Sequence, residues 1–306
     1  MTPITITDYR VVGSCVSIAS YLNISLYAHP LFTSNLLTSI GSSASISPFG
    51  SLYLYNNKVM QSMVFQSLSV VWQDLIITFN PALNLISLPS LSYVGGSILI
   101  QQNNVLSSLP LFGLVFVGGN MKIGPSLALG TVDVSAVSSV QGTMIFDSMP
   151  LFSSFNASSV SSIGGDLVFS SLSSLTSMSM NALTSVSGGF SLSNTGISTM
   201  SMMSISHFGA NVNMCSNGGS FVIPQSVYFA AIQGGLCSLQ NGSEPCPSPI
   251  SCSQIGSFST VTISTAAAAA TTSTLPLSTS LILAAVAQSP ASSAVSLTVL
   301  LPIRLS

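Results

Sequence analysis

Apolar and polar residues alternate along short stretches of this chain, and the same alternation restarts at regular intervals. The clearest stretch, residues 94–100, has two adjacent glycines, a serine and then apolar residues at every second position. Stretches 119–123, 142–146 and 165–169 follow a similar order. A period of two predicts short, half-buried β-strands, because an amphipathic helix would need apolar residues at i, i+3 and i+4.

The second glycine of this stretch recurs every 23 residues, and one further step of 22 reaches Ala210. Six glycines and one glutamine occupy the position: Gly50, Gln73, Gly96, Gly119, Gly142, Gly165 and Gly188. Self-similarity at such a period predicts a solenoid in which each turn stacks on the last. We therefore predict a mostly β protein of about eight 23-residue turns, with glycine where the chain bends sharply into each strand.

Polar residues recur with the same period. Asn57, Asn80 and Asn103 follow successive strands, and asparagine at a corner tolerates a left-handed backbone and bonds to nearby main chain. Stacked asparagine side chains would then form a ladder. The column directly after the repeated glycine is small and mostly polar: Ser51, Asp74, Ser97, Asn120, Thr143, Asp166, Gly189 and Asn211. This column is either a ligand-binding stripe or a set of side-chain oxygens that accept hydrogen bonds from backbone N–H groups, and we favour the second interpretation.

The repeat divides the chain into four parts. They are an irregular N-terminal cap with a degenerate repeat (1–49), the repeat array (50–214), a cysteine-rich C-terminal cap (215–252) and a Ser/Thr/Ala-rich tail (253–306). In the first part, an insertion is expected between the degenerate repeat at 13–18 and Gly50. In the third part, residues 221–224 are expected to form a strand over the last turn. The tail has the composition of a disordered, O-glycosylated stalk.

Four of the five cysteines follow the last repeat: Cys215, Cys237, Cys246 and Cys252. Clustered cysteines at this place favour disulfide bonds that staple a cap, and therefore an oxidising compartment. Zinc is the weaker alternative, because the chain has no C-x-x-C pair and no histidine placed as a further ligand. We predict the bonds Cys215–Cys237 and Cys246–Cys252 and no metal, which leaves Cys15 over.

Charged residues are rare. Lys and Arg number 4 and Asp and Glu 6, against a hydrophobic content of 47%, and roughly a fifth of the chain is serine. Without clusters of Lys or Arg, we expect neither nucleic acid nor anionic lipid as a partner. A surface so poor in charge favours weak self-association. Glycans would counter it, and Asn-x-Ser sequons stand at Asn23, Asn156 and Asn241.

Both ends of the chain bear on its location. Residues 1–8 lack the basic region of a signal peptide, so a secreted form is expected to have a different start. No run of 18 apolar residues predicts a transmembrane helix. The tail combines small residues, a spacer and two mildly apolar runs, which are the ingredients of a lipid-anchor signal. A lipid-anchored surface protein and a protein with a free disordered tail are both compatible with this pattern.

Few side chains point to catalysis. Asp74 and Asp166 share a column but lie four turns apart, about 19 Å at the strand spacing, which is too far for a glycosidase pair. His207 is a candidate general base, although a lone histidine is more often structural. A polysaccharide-active β-helix enzyme would need Asp133, Asp147 or Asp166 to cluster beside His207. The leading expectation is a protein without enzymatic activity or cofactor.

Other functional motifs are missing or weak. No Lys-Ser/Thr follows the glycine pairs, so they are not phosphate loops, and no G-x-S-x-G elbow has acid and histidine partners. The single tryptophan, Trp72, is expected to be packed rather than to serve as a sugar platform. Binding of ordered water or ice through Ser/Thr rows is ranked last, because the rows are not a regular Thr-x-Thr array.

The phrase V-G-G-x-L-x-I-x-x-N, with L-x-S-L and L-x-x-V between copies, resembles the receptor L-domain-like proteins. This leucine-rich-repeat-related family includes the ligand-binding domains of growth-factor and insulin receptors and fungal lipid-anchored wall proteins. The resemblance covers residues 50–215 and is carried by the glycine pairs at 95–96, 118–119, 164–165 and 188–189. It implies a right-handed parallel β-helix or leucine-rich-repeat-like solenoid at a cell surface or in a wall. We expect a non-enzymatic extracellular recognition or structural protein with an unknown protein or glycan ligand.

Overall fold

In the computed structural model, the described residues are 50–217, 223–233 and several short strands outside these ranges. The outlying strands are Ile4–Ile6, Ser17–Ile18, Leu22–Ile24, Leu31–Phe32, Ser39–Ser42, Val261–Thr262 and Thr298–Val299. The chain divides into two compact units, 1–252 and 253–306. In the second unit, Val261–Thr262 pairs antiparallel with Thr298–Val299.

The first unit is a β-solenoid whose turns each place one strand on each of three faces. Face A is a nine-stranded parallel sheet made of Leu31–Phe32, Leu52–Tyr55, Leu75–Thr78, Ile98–Gln101, Met121–Ile123, Met144–Asp147, Leu167–Leu172, Phe190–Thr195 and Val212–Cys215. Face B is a seven-stranded parallel sheet made of Val70–Val71, Tyr93–Val94, Phe116–Val117, Ser139–Val140, Ser162–Ile163, Ser185–Val186 and His207–Phe208.

Face C consists of three shorter parallel sheets. The first contains Ser17–Ile18, Ser39–Ser42, Ser62–Phe65 and Leu85–Ser87; the second, Ser108–Pro110 and Thr131–Asp133; the third, Ser154–Asn156, Ser177–Ser179 and Thr199–Ser201. From Leu52 to Phe208 the chain makes about seven turns, and most strands pair in the register of the sequence repeat, as Ile98 does with Leu75 and with Met121. The predicted mostly β solenoid and its period are confirmed.

The core runs continuously along the inside of the solenoid. On face A, alternate residues such as Ile98 and Ile100 are buried, while Leu99 between them is partly exposed. Phenylalanines stack between turns, with ring centroids 5.3 Å apart for Phe146 and Phe169. Burying one such side chain contributes about 1.5–3 kcal/mol. A single turn has no strand partner, so this stabilisation and the backbone pairing both require neighbouring turns.

The described part of the C-terminal cap contains a helix that the sequence analysis did not predict. The helix, Gln225–Gln233, follows Pro224 and packs against the last turn. Residues 223–224 are not in a strand, and residues 221–222 lie outside the described residues, so the strand predicted at 221–224 stays a prediction there. The buried residues of the helix, Val227, Ala230 and Ala231, follow i, i+3 and i+4 spacing and join the core. These three side chains cover the apolar residues of the final turn and shield them from water, which is the role of a terminal cap.

The N-terminal part also differs from the prediction. Leu31 pairs with Tyr53 and Ser39 pairs with Ser62, so the repeat spacing continues upstream of Gly50. The insertion expected there is absent between these paired strands. Among the described residues, no helix is long and apolar enough to cross a membrane.

Candidate functional site

A buried column of asparagine side chains connects the first turns, as predicted. The amide oxygen of Asn80 accepts from the backbone N–H (3.0 Å) and the Nδ2 group (2.8 Å) of Asn57. The Nδ2 group of Asn80 donates to the oxygens of Leu54, Thr78 and Asn103. All three asparagines are fully buried. These residues are therefore structural, since their polar atoms bond to neighbouring turns.

The backbone of the corners differs from the prediction in one respect. The left-handed residue lies one position before the asparagine column and is rarely glycine, with φ of 51–59° at Asn56, Phe79, Gln102, Ser148, Ser171, Asn194 and Ser216. In one turn this column holds Pro125, and the positive φ lies one position earlier, at Gly124 (98°), which is the one described glycine with positive φ. The stacked turns thus impose a conformation that other residues usually avoid.

The repeated glycines serve close approach rather than a positive φ. A Cβ atom on Gly96, Gly119, Gly142, Gly165 or Gly188 would lie within 3.0 Å of the neighbouring turn, for example 2.7 Å from the carbonyl carbon of Gln73 at Gly96. Gly50 precedes the first turn and accepts a hydrogen bond from the Gln73 N–H through its carbonyl oxygen. Space between turns therefore selects glycine in this column.

The polar column after these glycines is a second ladder. Each side-chain oxygen accepts from the backbone N–H of the residue one turn later, as in Ser97 N to Asp74 Oδ1 (2.7 Å) and Thr143 N to Asn120 Oδ1 (2.8 Å). The same contact continues to Gly189 N, which donates to Asp166 Oδ1 at 2.7 Å. The structural interpretation of this column is confirmed for these oxygens.

Serine and threonine form a third ladder at the corner before face B. The Ser161 hydroxyl donates to the carbonyl of Ser138 at 3.1 Å, and the Thr184 hydroxyl donates to the carbonyl of Ser161 at 2.9 Å. Ser92, Ser138 and Ser206 make the equivalent contact with the preceding turn. Many of the abundant hydroxyls are therefore used within the fold.

The candidate catalytic residues do not come together. Asp133 lies on face C, Asp147 and Asp166 at opposite ends of neighbouring face A strands, and His207 on face B. Asp147 Oδ1 accepts from the hydroxyls of Ser148 (2.9 Å) and Ser170 (2.8 Å). Within the part of the chain that the structure describes, no three His, Cys, Asp or Glu residues form a metal site.

The remaining predicted residues are only partly described. Cys215 ends a face A strand, is fully buried and is disulfide-bonded. Cys237, Cys246 and Cys252 lie outside the described residues, so the pairing stays a prediction. Asn156 is exposed at the end of a face C strand. The side chain of Asn23 and all of Asn241 lie outside the described residues.

One corner between faces A and B carries three neighbouring aromatic rings, which we call the aromatic patch: the exposed Trp72 and the half-buried Tyr93 and Phe116. The expectation that Trp72 is packed holds in part, because its ring contacts Tyr93 while 45% of the residue is exposed. Its ring meets Tyr93 edge-on at 5.7 Å, and Tyr93 stacks on Phe116 at 5.1 Å with an interplanar angle of 11°. Little in the sequence indicates that these three rings lie together. Tyr93 and Phe116 share one column of the repeat, whereas Trp72 belongs to another column, which holds Gly95 and Gly118 in the next two turns.

Uncharged polar side chains surround the aromatic patch. Gln73, Asn120 and Gln141 are exposed, and Ser139 follows Phe116 in the outward column of face B. Asp74 is half-buried, with Oδ1 bonded to the Ser97 N–H. Of the described Lys residues, Lys58 follows the strand Leu52–Tyr55, and Lys122 lies on face A two residues after Asn120. The corner thus combines aromatic ring surface with amide and hydroxyl groups and with the Asp74 carboxylate.

A second concavity lies on face C. It is a shallow groove of about 300 Å³ between Ser154–Asn156, Ser177–Ser179 and Thr199–Ser201. Hydroxyls line it, and the Ser201 hydroxyl is already bonded to Asn181 Oδ1 at 2.6 Å. The groove holds no aromatic ring on its exposed side, since Phe155 is buried.

Comparison with protein-family models, curated proteins and solved structures finds no match for this chain.

Proposed function

We propose that this chain is a non-enzymatic recognition or structural module displayed outside the cell, at a surface or in a wall. The single observation that carries the proposal is the aromatic patch. The three ladders use their polar side chains for hydrogen bonds between turns, whereas Trp72 is 45% exposed beside the half-buried rings of Tyr93 and Phe116, so part of this ring surface meets water. Exposed aromatic clusters rimmed by polar residues are typical of binding sites.

Three further features support an extracellular setting. Cys215 is disulfide-bonded, and structural disulfides are rare in the cytosol. Asn156 belongs to a sequon and is exposed, so a glycan fits there without disturbing the core. The receptor L-domain-like resemblance places related repeats at surfaces and in walls. The tail at 253–306 would then be a stalk or a lipid-anchor signal.

The dispersal of Asp133, Asp147, Asp166 and His207 over separate faces supports recognition over catalysis. Hydrolysis of a glycosidic bond needs two carboxyl groups less than about 10 Å apart across one bond. We expect a panel of polysaccharides to release no reducing ends when incubated with the protein. Sustained release of reducing ends would favour the β-helix enzyme instead.

The native protein provides the test of location. Mass spectrometry of protein purified from its own cells should show oxidised cysteines and a glycan at Asn156, and it would also reveal a C-terminal lipid. Fractionation should place the protein at the surface or in the medium. A cytosolic protein with reduced cysteines would overturn the proposal.

A further inference from the structure

We propose, beyond the recognition function, that the corner between faces A and C docks on a bilayer of zwitterionic lipid and inserts apolar side chains into its interfacial region. Exposed apolar residues are concentrated on this corner. Of the twelve large hydrophobic residues that are exposed in the described part of the chain, six lie here and form what we call the apolar ridge: Tyr55, Val59, Phe79, Val105, Leu127 and Leu151.

One column of the repeat forms the centre of the apolar ridge. Five successive turns place an apolar residue two positions after the buried asparagine column: Val59, Ala82, Val105, Ala128 and Leu151. The next turn has Ser174 there, so the apolar column ends. The large members alternate with alanine, so each projects past its smaller neighbours and none is covered by another large side chain. At about 4.8 Å per turn, the column is about 19 Å long.

The fold does not account for an apolar column at this place. The polar columns on the outside of the solenoid bond to the next turn, as Ser97 N does to Asp74 Oδ1. The ridge instead holds apolar carbon in water, with Leu127 62% exposed and Leu151 57% exposed. Contiguous exposed apolar surface is typical of a site that contacts another molecule or a membrane.

The shape of the apolar ridge favours a lipid surface over a second copy of this chain. The chain bends from face A into face C here, through left-handed residues such as Asn56 and Phe79, so the ridge is convex. Two convex ridges would touch along a narrow strip, whereas a stable dimer buries about 800 Å² on each partner. A bilayer can deform around a straight convex edge, and binding there increases with the apolar area that enters the interface.

The charges around the apolar ridge favour zwitterionic over anionic lipid. Of the described charged residues, Lys58 lies within the ridge, Lys122 and Asp147 lie on adjoining face A strands, and Asp133 ends a face C strand. Selection of anionic lipid takes clusters of basic residues, which this corner lacks. A single lysine is compatible with an interfacial position, because its long side chain can hold the ammonium group in water.

The full chain and phosphatidylcholine vesicles provide the test. The protein should sediment with the vesicles, and addition of phosphatidylserine should change the partition coefficient by less than tenfold. Leu127→Ser/Leu151→Ser should lower the partition coefficient at least tenfold, because two large apolar side chains no longer enter the interface. Phe112→Ser/Met203→Ser is the matched control: it also removes two exposed apolar residues, but from the corner between faces C and B, and should bind like the wild type.

The single tryptophan gives a second readout of the docked orientation. Trp72 lies on the corner between faces A and B, so vesicles with brominated acyl chains should leave its fluorescence unchanged. In a Trp72→Phe background, the fluorescence of Leu127→Trp should be quenched by these vesicles and that of Phe112→Trp should not. Circular dichroism checks that every variant is folded.

The inference is overturned if the wild-type chain does not sediment with the vesicles, or if the two double variants bind alike, which would place the contact outside the ridge. It is also overturned if Leu127→Trp stays unquenched, or if the ridge instead holds a dimer that Leu127→Ser/Leu151→Ser dissociates. A surface protein that does not bind the vesicles would refute this inference alone, whereas a cytosolic protein would refute the proposed function.

Discussion

Replacing Asn80 by alanine should destabilise the solenoid strongly. The side chain is fully buried and has five polar contacts: Oδ1 accepts two hydrogen bonds, and the two hydrogens of Nδ2 are shared among three acceptor oxygens. Three of the five partners keep a second hydrogen bond: Asn57 Nδ2 with Tyr55, the Thr78 carbonyl with Asn56, and Asn103 Oδ1 with the Asn80 N–H. A fourth, the Leu54 carbonyl, belongs to the parallel ladder between Leu52–Tyr55 and Leu75–Thr78. The full cost, about 1–3 kcal/mol per buried group, therefore applies to one, the Asn57 N–H.

Together with the lost volume, we expect the free energy of unfolding to fall by about 2–4 kcal/mol. For a unit of this size the melting temperature should fall by about 4–16 °C. Asn80→Asp keeps the volume but removes the Nδ2 donor and buries a charge, so it should be at least as destabilised at pH 7. Thermal unfolding followed by circular dichroism measures both.

Asn84→Ala is the control for this series. Asn84 lies in the same turn and is exposed, so its replacement should change the free energy of unfolding by less than about 0.5 kcal/mol. If Asn80→Ala melted within a degree or two of Asn84→Ala, the asparagine column would not stabilise the fold, and the reasoning from buried hydrogen bonds would be wrong.

Three further predictions concern stability, each measured by thermal or denaturant unfolding. Gly119→Ala should cost about 1–3 kcal/mol, because its Cβ would lie 2.8 Å from the carbonyl carbon of Gly96, whereas Gly130→Ala should be tolerated with its nearest atom at 3.4 Å; equal effects would refute the packing argument. Ser126→Ala should be neutral or stabilising by up to about 1 kcal/mol, since the buried hydroxyl of Ser126 has no hydrogen-bond partner; a loss of stability above about 1 kcal/mol would show that this hydroxyl is hydrogen-bonded in the folded protein. Phe146→Ala should cost about 3–5 kcal/mol, and a loss no larger than that of the exposed Phe112→Ala would contradict the role of the stacked core.

The constant period of the repeat made the fold predictable from sequence. Glycine recurs because two turns approach closely at its position, and the asparagine column recurs because each amide bonds to the next turn. The close approach of the turns and the hydrogen bonds between amides recur from turn to turn, so the residues that serve them recur with the period of the repeat. The polar column after the glycines could be assigned a structural role for the same reason, because its oxygens bond to the next turn at each step.

Features set by a single turn or by the ends of the array left little or no periodic signal. The left-handed corner residues include Asn56, Phe79 and Gln102, which share no chemistry because the stacked backbone, not the side chain, imposes φ. The helix Gln225–Gln233 occurs once, although the spacing of Val227, Ala230 and Ala231 was visible. A period-two pattern does not say which way a corner residue points, so the exposure of Trp72 had to come from the structure.

The central claim is that one whole repeat is the unit of stacking. Deleting residues 75–97 joins Asp74 to Ile98 and brings Asn57 next to Asn103, so every column is preserved. Circular dichroism and thermal unfolding should show a folded β protein that melts cooperatively. Deleting only residues 75–86 would instead place face A residues opposite face C residues, and that variant should not fold. The account would be contradicted if the two deletions behaved alike, or if removal of one whole turn abolished the β signal.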